Sequence, residues 1–489
     1  MKYVKEINVF KKMIMQVAAL GLALESVYAD PGFVGTDPQG SEKAVESKQK
    51  NKSNDVLKQG APKPEKDGGM DIRLYGKATG IMYHAKNAKD AKLQNNGKKS
   101  NLGVAMDETA FGLKMQGDTA KFGGMEWGAN VSLTMDKYSD NVVKDSYIYL
   151  RNMEKWGNFQ IGNFKGVEYR ATNQVKDTQT GTGGPLDNSD YQNALFNLAS
   201  GVNNVQLDAR GSVGRALKIM WNSPVLSGFQ LGLSYTPNST VKGFGTMNSN
   251  APTSSSTANI HRDPIHPDHN NMSKSVLATS LTWGRTLSSG AKVSLGATVI
   301  NGAARTYYSK VNQIKTGTYQ YNPGLINRHK IQSYVFAAGF DYKGIEAGVQ
   351  YIENGKSGEA KEFTGRNAGR GYAGGLGYNF GANKIGVGYH HFVRKNGTTP
   401  LRYTPAVKIP GGRPAALRNN QYLGKSHADT VTAQFQHVIT DGLATFFEYG
   451  NFRSRTSEEN FHLAQEQNYA TAVRKNQAHT FLVGIGIYF

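Results

Sequence analysis

The sequence predicts an all-β protein, a transmembrane antiparallel up-and-down β-barrel of about 16 strands. Three observations lead to this prediction: period-two alternation of side chains, a closing segment with an aromatic end, and connections that alternate between long and short. Beyond the N-terminal region, no apolar stretch is long enough for a membrane helix. A barrel is compatible with this composition, because only one face of each strand meets lipid and the closed sheet pairs every backbone group.

The closing segment, 477–489, shows the alternation most clearly. From Phe481 onward its odd positions carry large apolar side chains, interleaved with Leu482, Gly484, Gly486 and Tyr488, and the last residue is Phe489. An aromatic residue at the end of such a strand is typical of the interfacial girdle of membrane barrels. A soluble C-terminal strand is the alternative interpretation of this segment alone.

Alternation and turn residues together predict the other strands. In one of them, Leu281 and Trp283 face one way while Ser280 and Thr282 face the other. The strand candidates lie near 71–83, 102–116, 124–136, 144–153, 157–163, 214–222, 228–236, 275–284, 291–300, 332–342, 345–353, 371–380, 383–393, 428–438, 441–452 and 477–489.

The connections between these candidates alternate in length. Long polar gaps follow every second strand, and tight turns such as 342–344, 381–383 and 440–442 lie between them. Long extracellular loops and short periplasmic turns produce this alternation in an up-and-down barrel. Two or three soluble domains are the alternative for a chain of this length, but a soluble sandwich has no reason to alternate in this way. About 16 strands also suit a barrel wide enough for an aqueous channel.

The chain divides into three predicted regions. Residues 1–29 have the basic start, short apolar run and small residues of a signal peptide, which predicts export. Residues 30–69 are polar with almost no apolar side chains, and we expect a disordered N-terminal extension because they cannot bury enough surface. Residues 70–489 then form the barrel, and the predicted location is the outer membrane of a Gram-negative bacterium.

The charge and the cysteine content restrict the possible partners. The formal net charge is +20, and the chain has no cysteine, which excludes disulfides and thiolate metal or redox sites. Export makes a nucleic-acid partner improbable, so the alternatives are an anion-preferring lumen and basic loops that contact outer-membrane lipid and lipopolysaccharide. The basic residues of the seventh long connection favour the second explanation for part of the charge: Arg402, Lys408, Arg413, Arg418 and Lys425.

Signals for catalysis and cofactors are weak. The chain has no nucleophile-elbow motif, and its glycine doublets lie within strand candidates, so we expect no enzymatic activity and no cofactor. One polar connection has side chains that could bind a metal ion, but a flexible loop without a rigid scaffold is the simpler interpretation. These residues are His261, Asp263, His266, Asp268 and His269.

Several short segments share a family pattern in their order and spacing. They are Leu74–Ala78, Phe111–Lys114, Tyr147–Arg151 with Trp156–Gly162, Asn222–Phe229 and the terminal Phe489. In this order they resemble the Gram-negative trimeric porins of the general-diffusion type. The resemblance covers residues 70–236 and the end of the chain, whereas the middle matches only in strand rhythm.

The resemblance implies a passive, water-filled channel for small hydrophilic solutes and ions, and a homotrimer. It also implies a third loop, residues 163–213, that folds inward and places acids opposite basic wall residues, so that a transverse field and a narrow gap select solutes. The wall residues it implies are Lys77, Lys114, Arg151 and Arg215. The family's acidic loop motif is absent, and Asp187 and Asp190 are the substitutes; Ala110 stands where some members have an arginine.

Strand parity supports three of the four wall positions. Lys77, Lys114 and Arg151 alternate with apolar neighbours, which points them into the lumen. Arg215 shares the parity of the apolar residues Leu217, Ile219 and Trp221, so it fits the lumen only before regular pairing starts.

Three functions remain open at this point. The first is a general-diffusion channel, with or without an anion preference. The second is a substrate-specific anion channel, for example for phosphate, which saturable conductance would favour. The third is a non-channel barrel that acts as an adhesin, an anchor or a lipid hydrolase, which the absence of ion current would favour.

Overall fold

The computed structural model describes residues 70–87, 100–119, 124–134, 143–169, 173–181, 209, 216–238, 273–304, 307–308, 325–361, 363–398, 421–459 and 474–489. The strands are β1 (Asp71–Asn87), β2 (Ser100–Thr119), β3 (Met125–Thr134), β4 (Val143–Asn152), β5 (Gly157–Phe164), β6 (Ala216–Asn222), β7 (Phe229–Asn238), β8 (Ser273–Thr286), β9 (Lys292–Ala304), β10 (Tyr307–Tyr308), β11 (Leu325–Ile326), β12 (Ile331–Tyr342), β13 (Ile345–Glu353), β14 (Arg370–Phe380), β15 (Asn383–Lys395), β16 (Lys425–Thr440), β17 (Leu443–Thr456) and β18 (Lys475–Tyr488).

Sixteen of these strands close into one antiparallel barrel. Each pairs with its neighbours along the chain, and β1 closes the ring against β18 in a register that joins Lys77 to Tyr488. The remaining two, β10 and β11, pair only with each other, so β9 pairs directly with β12. The predicted fold, an up-and-down barrel of about 16 strands, is confirmed.

The residues form these strands because their alternation suits a membrane on one side and a lumen on the other. On β18, Phe481, Val483, Ile485 and Ile487 are 46–50% exposed, whereas Leu482 between them is fully buried. On β1, Leu74 is 62% exposed and faces outward, while its neighbours in sequence face inward. Large apolar side chains therefore cover the outside, the reverse of a soluble β protein.

Tight turns fix the register at one end of the barrel, the turn end. Lys343 and Gly344 join β12 to β13 with φ values of 49° and 84°, and Ser227 and Gly228 precede β7 with φ values of 50° and 84°. Two consecutive residues with positive φ are characteristic of type I′ turns, whose twist matches that of the flanking strands. The opposite end, the loop end, carries the long connections.

At the loop end several strands continue beyond the predicted limits. β16 starts at Lys425 instead of residue 428, and β17 continues to Thr456 instead of residue 452. These extra residues are polar on both faces, so they lack the alternation from which a strand is predicted, yet their backbones remain paired. Among the described residues, no helix has the length and apolar composition needed to cross a membrane.

Two apolar clusters lie on the inner side of the barrel. One gathers Phe164, Val167, Ala209, Ala216, Met220, Val276, Ala278, Ile300, Ile331, Val335 and Ile352. The other gathers Ile81, Ala85, Val175, Ala373, Phe392, Ala428, Phe446, Phe452, Ala478 and Leu482. Parts of the wall are therefore packed against chain inside the barrel instead of facing water. Residues 1–69 lie outside the described residues, so their predicted division stays a prediction.

Candidate functional site: the lumen wall

After β5 the chain enters the barrel, and the described part of this segment, residues 165–169 and 173–181, crosses the inner face of the wall. We call it the inner segment. It contains a 3₁₀ turn, Val167–Tyr169, which contacts β7, β8 and β9, and a short helix, α1 (Asn173–Lys176), which contacts β12, β13 and β14. The part of the wall under the second half of the inner segment, formed by β12–β15, is called the covered wall below.

A row of inward glycines makes room for the inner segment on the covered wall. Gly339, Gly348, Gly375 and Gly388 are paired in register across β12, β13, β14 and β15, and we call them the glycine row. A Cβ atom on Gly348 would overlap the carbonyl oxygen of Gln174, and one on Gly375 would overlap Oγ1 of Thr178. The glycines therefore allow backbone and wall to approach closely, as glycine in a strand often does.

Hydrogen bonds from the neighbouring strands hold the far end of the inner segment. Thr432 Oγ1 donates to Gln179 Oε1 over 2.9 Å, and the Thr180 backbone N–H donates to Gln434 Oε1 over 2.9 Å. Gln436 accepts a further bond from the Gly181 N–H over 3.1 Å. All three wall side chains lie on the inner face of β16, so this strand holds the far end of the inner segment.

A buried ion pair holds the near end. Lys218 on β6 and Glu168 in the 3₁₀ turn are almost fully buried, with 3.4 Å between Nζ and Oε1. Ser234 Oγ on β7 donates a second bond to Glu168 over 3.0 Å. Removing one partner of a buried pair leaves an uncompensated charge, which is strongly destabilising. The pair therefore attaches the inner segment to β6 and β7.

A second lysine joins the inner segment to the covered wall. Lys384 Nζ donates to the carbonyl oxygen of Asp177 and to Glu346 Oε2, each over 2.7 Å. Asn379 Nδ2 donates to the other oxygen of Glu346 over 2.6 Å. The Lys384 ammonium group thus binds both the inner segment and the wall. Glu346 compensates its charge, so its main role is structural.

The wall formed by β1–β4 lies outside these contacts and carries accessible charged side chains; we call it the accessible wall. Lys77 faces inward beside Tyr488, with Nζ 5.8 Å from the ring centroid. Lys114 faces inward on β2, directly opposite Arg73 on β1 and Asn130 on β3. Arg73 and both lysines are partly exposed, which makes them reachable by solutes in the lumen.

Arg151 is also inward, but its charge is compensated. Its Nη2 lies 2.6 Å from Glu126 Oε2, and its Nε donates to the same carboxylate over 3.1 Å. Tyr149 Oη donates to Glu126 as well, over 3.1 Å. Arg151 is the last but one residue of β4, so this pair belongs to the turn end of the barrel.

The structure spreads the predicted wall residues along the accessible wall. Lys77 lies four residues from Arg73, the partner of Lys114, which corresponds to about 13 Å along the strand. The register partners of Lys114 lead through Asn130 on β3 to Tyr147 on β4. Arg151 lies four residues beyond Tyr147 toward the turn end, which is a similar distance along the strand. The three side chains therefore lie at three different levels along the barrel, on β1, β2 and β4. Their role in a constriction stays a prediction.

The other predicted site residues, Arg215, Asp187 and Asp190, lie outside the described residues. The residues that follow Arg215 face as expected: Leu217, Ile219 and Trp221 all lie on the outward face of β6. The metal candidates from His261 to His269 also fall outside. Within the part of the chain that the structure describes, no group of three or more His, Asp or Glu side chains could hold a metal ion.

Sequence reasoning missed three inward cations of the lumen, one on β1 and two on β6 and β15. Lys218 and Lys384 lie at inward positions of strands where only the apolar face was considered. Arg73 shares the parity of Tyr75 and Lys77, so period-two alternation could have found it. The pairing of Arg73 with Lys114 depends on the register of β1 and β2, which the sequence alone does not reveal.

Comparisons with known proteins agree with this architecture. A family model described as "Gram-negative porin" matches residues 65–457. The anion-selective porin from Comamonas acidovorans has a similar structure, with a TM-score of 0.50 at 13% identity over 86% of this chain and 100% of that chain. OmpF of Salmonella typhi, in complex with daunomycin, gives a TM-score of 0.47 at 14% identity over 86% of this chain and 97% of that chain.

A third similar structure, the outer membrane channel DcaP of Acinetobacter baumannii, gives a TM-score of 0.46 at 13% identity, over 86% of this chain and 98% of that chain. No curated protein sequence matches the chain significantly. The likeness to the porin from Comamonas acidovorans supports the fold, and the family match, which spans most of the chain, supplies the identity. The chain therefore belongs to the Gram-negative porin family and is an outer-membrane channel.

Proposed function

We propose that this channel admits small hydrophilic solutes and ions by passive diffusion. The observation that carries the proposal is the division of the lumen into two unlike walls. The covered wall is occupied by the inner segment, whereas the accessible wall presents Arg73, Lys77 and Lys114 to the lumen. A gap with fixed charges on one side selects solutes by size and biases the entry of ions by charge.

An anion preference is part of this proposal. On the described walls, Arg151, Lys218, Lys292 and Lys384 each contact a carboxylate, which accounts for much of their charge. Lys77 and Lys114 are partly exposed on the accessible wall, and charge of one sign in a narrow cleft raises the local concentration of counter-ions. The predicted loop acids Asp187 and Asp190 would oppose this bias, and they belong to the proposal as the other side of the constriction, together with Arg215 and the inward third loop, 163–213.

Single-channel conductance of the purified protein in a planar bilayer tests the proposal. A linear, non-saturating current with a reversal potential that reports anion preference in a salt gradient is the expected result. A folded barrel that gives no current contradicts diffusion and favours the non-channel alternatives, an adhesin or an anchor. Lipid hydrolysis by the purified protein would contradict our expectation that it is not an enzyme.

A substrate-specific anion channel is the second candidate. Two cations placed directly opposite each other on β1 and β2 favour it, because clustered charge of one sign in a cleft raises the local concentration of anions. The similar porin from Comamonas acidovorans is described as anion-selective. Current that saturates with one anion and not with others would replace the general-diffusion function by this one.

We further propose that three copies assemble in the outer membrane after export by the signal peptide 1–29. The family resemblance supports this assembly. In a trimeric porin each copy has its own channel, so the conductance rises in groups of three steps. Conductance steps in multiples of three, and a native mass of three chains, are the expected results. Single steps and a native mass of one chain would contradict the trimer.

The outer face at the loop end supports contact with lipopolysaccharide. Outward positions here carry seven cationic side chains and two acidic ones among the described residues of β1 and β13–β18. The cations are Lys86, Arg370, Lys395, Lys425, Arg453, Arg455 and Lys475, and the acids are Glu353 and Asp429. They lie on the loop side of an outward aromatic group, Tyr372, Tyr389, Tyr449 and Phe481, which places them at headgroup depth in a porin.

Copurified lipid in detergent tests this part of the proposal. Changing Arg453 and Arg455 to glutamine should reduce the lipopolysaccharide that stays bound, because the two side chains lie on the outward face of one strand and are exposed. Equal retention by the variant and the unchanged protein would contradict it.

A further inference from the structure

The connection from β13 to β14 lies at the loop end and is the sixth long connection of the chain. We call it, residues 354–369, the sixth connection; the structure describes all of it except residue 362. Its two ends meet, since the Asn354 N–H donates to the Gly369 carbonyl oxygen over 3.0 Å. Between the ends, Phe363 and Ala368 are buried. A connection with joined ends and a buried interior is a compact unit, as Ω-loops are.

The sixth connection also pairs with the connections on both sides of it. The His329 N–H donates to the Glu359 carbonyl oxygen over 2.9 Å, and the Gly358 N–H donates to the His329 carbonyl oxygen over 3.2 Å. These bonds join it to the end of the connection before β12. On its other side, the Thr398 N–H donates to the Thr364 carbonyl oxygen over 2.9 Å. Backbone bonds therefore combine parts of three successive connections into one structure.

Contacts with inward side chains place the sixth connection inside the barrel. Ser333 on β12 and Arg394 on β15 are buried and share the inward parity of the glycine row. The Ser333 Oγ atom lies 3.0 Å from the Ser357 Oγ atom. Arg394 Nη2 donates to both oxygens of the Glu359 carboxylate, over 3.1 Å and 3.0 Å. The sixth connection thus lies on the inner face of β12–β15, on the loop side of the glycine row.

A buried carboxylate holds the sixth connection against the wall. Glu359 lies between two arginines, Arg366 of the same connection and Arg394 of β15, and all three side chains are only 1% exposed. Arg366 Nε lies 2.9 Å from Glu359 Oε2, and its guanidinium group lies 4.6 Å from the centroid of the Phe363 ring. Loss of one partner of a buried ion pair is strongly destabilising. Glu359 therefore fixes the connection in one position.

The inner face on the opposite side of the mouth is covered too. Ala85, Ala428, Phe452 and Ala478 are inward residues at the loop ends of β1, β16, β17 and β18, and each is at most 1% exposed. Inward side chains that line open water would be exposed. Chain therefore packs on them, and the open cross-section at the loop end is smaller than the ring of sixteen strands.

We propose that the sixth connection is a second size filter of the channel, at its loop-end mouth, and that Glu359 holds it in place. The filter rests on the proposed function, because it needs a path for solutes. It adds to the proposed constriction at the third loop, 163–213, since a solute from the loop end meets the sixth connection first. A filter selects by diameter when its lining does not move aside. The paired backbones and the buried carboxylate supply this rigidity.

Polymer exclusion in planar bilayers tests the filter on the full-length protein. Poly(ethylene glycol) of graded size is added to one side at a time, and the largest polymer that lowers the conductance gives the size limit for that side. Glu359→Gln should release the sixth connection, raise the conductance about 1.5-fold and admit larger polymers from the loop end. The size limit from the turn end should stay unchanged.

Glu458→Gln is the matched control. Glu458 is also a carboxylate at the loop end with an arginine partner, since its Oε2 lies 3.4 Å from Nη2 of Arg474, but it is 57% exposed. An exposed pair contributes little to stability. This variant makes the same change of charge and should leave the conductance and both size limits unchanged.

An engineered disulfide separates release of the filter from a failure to fold. The chain has no cysteine, and the Oγ atoms of Ser333 and Ser357 are close enough for cysteines at these positions to bond. The oxidised Ser333→Cys/Ser357→Cys variant should have the size limits of the unchanged protein. With Glu359→Gln added, the loop-end limit should be normal when oxidised and larger after reduction with dithiothreitol. If Glu359→Gln alone does not fold, this triple variant, folded oxidised and then reduced, gives the comparison.

The outcomes separate the filter from the channel. Equal size limits in Glu359→Gln and the unchanged protein, or a larger limit that the disulfide does not reverse, overturn the filter while leaving diffusion intact. Cysteines that do not bond overturn the position of the sixth connection. A folded, unchanged barrel without current contradicts the channel itself, and the filter with it.

Discussion

The covered wall and the accessible wall have the same backbone architecture and opposite chemistry. On β12–β15 the inward positions include a row of glycines, and the inner segment lies on it. On β1–β4 the inward positions carry Arg73, Lys77, Lys114 and Arg151, and they remain partly exposed. Inward glycines therefore shape the lumen as much as inward charged side chains do, because they leave room for the inner segment.

The attachment of the inner segment gives the largest expected effect. Lys218→Met leaves Glu168 buried without its cation, and we expect the free energy of unfolding to fall by about 3–5 kcal/mol. Replacing both residues with methionine should recover much of this loss. Urea unfolding in lipid vesicles measures both values, and an additive double variant would contradict the pairing.

The glycine row offers a matched pair of variants. In Gly348→Ala the new methyl group would overlap the carbonyl oxygen of Gln174, so the inner segment has to move. We expect the free energy of unfolding to fall by about 1–3 kcal/mol. In Gly374→Ala on the neighbouring strand the nearest atom is 3.9 Å away, and we expect almost no change.

Both glycine variants are measured by unfolding and by conductance. Gly348→Ala should also alter the single-channel current, because the proposed constriction depends on where the inner segment lies on the wall. Equal behaviour of the two variants would show that the close approach between wall and segment has no energetic consequence.

Charge reversal tests the accessible wall. Lys77→Glu should shift the reversal potential toward cation preference by about 10 mV in a tenfold salt gradient, because the charge that changes faces the lumen. Arg453→Glu makes the same charge change on the outward face of β17 and should leave the potential unchanged. A shift of equal size in both variants would mean that the side of the wall is irrelevant.

The smallest effect concerns the loop end, beyond both walls. Burial lowers the pKa of His329, and the charges of Lys356 and Lys361 lower it further, while Glu359 opposes them. The unfolded segment therefore takes up a proton first, so acidification below pH about 6.5 weakens the folded arrangement until the folded pKa is passed.

Hydrogen exchange at the Gly358 amide is the measurement for His329, because this amide donates to the His329 carbonyl over 3.2 Å. Exchange should become faster than expected from pH alone between pH 7 and pH 5. His329→Asn should remove this extra pH dependence, and its persistence in the variant would contradict the assignment to His329.

The sequence predicted the strands well and the site only in part. All sixteen barrel strands were predicted, because a strand with lipid on one side alternates apolar and polar side chains, and this alternation is visible in the sequence. Their loop ends were missed where both faces become polar, as on β16 from Lys425. The inward direction of Lys77, Lys114 and Arg151 follows from the same alternation, whereas the carboxylate beside Arg151 depends on the pairing of β3 with β4.

The amino-acid pattern alone was enough to predict the barrel, a count of about 16 strands and the face of each strand that meets lipid, because these features come from a local alternation that repeats every two residues. Only the tertiary structure decided which residues meet across strands and through the lumen. The contacts of the glycine row with Gln174 and Thr178, the Lys218–Glu168 pair and the Arg73–Lys114 pair join residues that lie far apart in the chain. Register and the course of the inner segment bring them together, since closure of the ring fixes every strand against its neighbours.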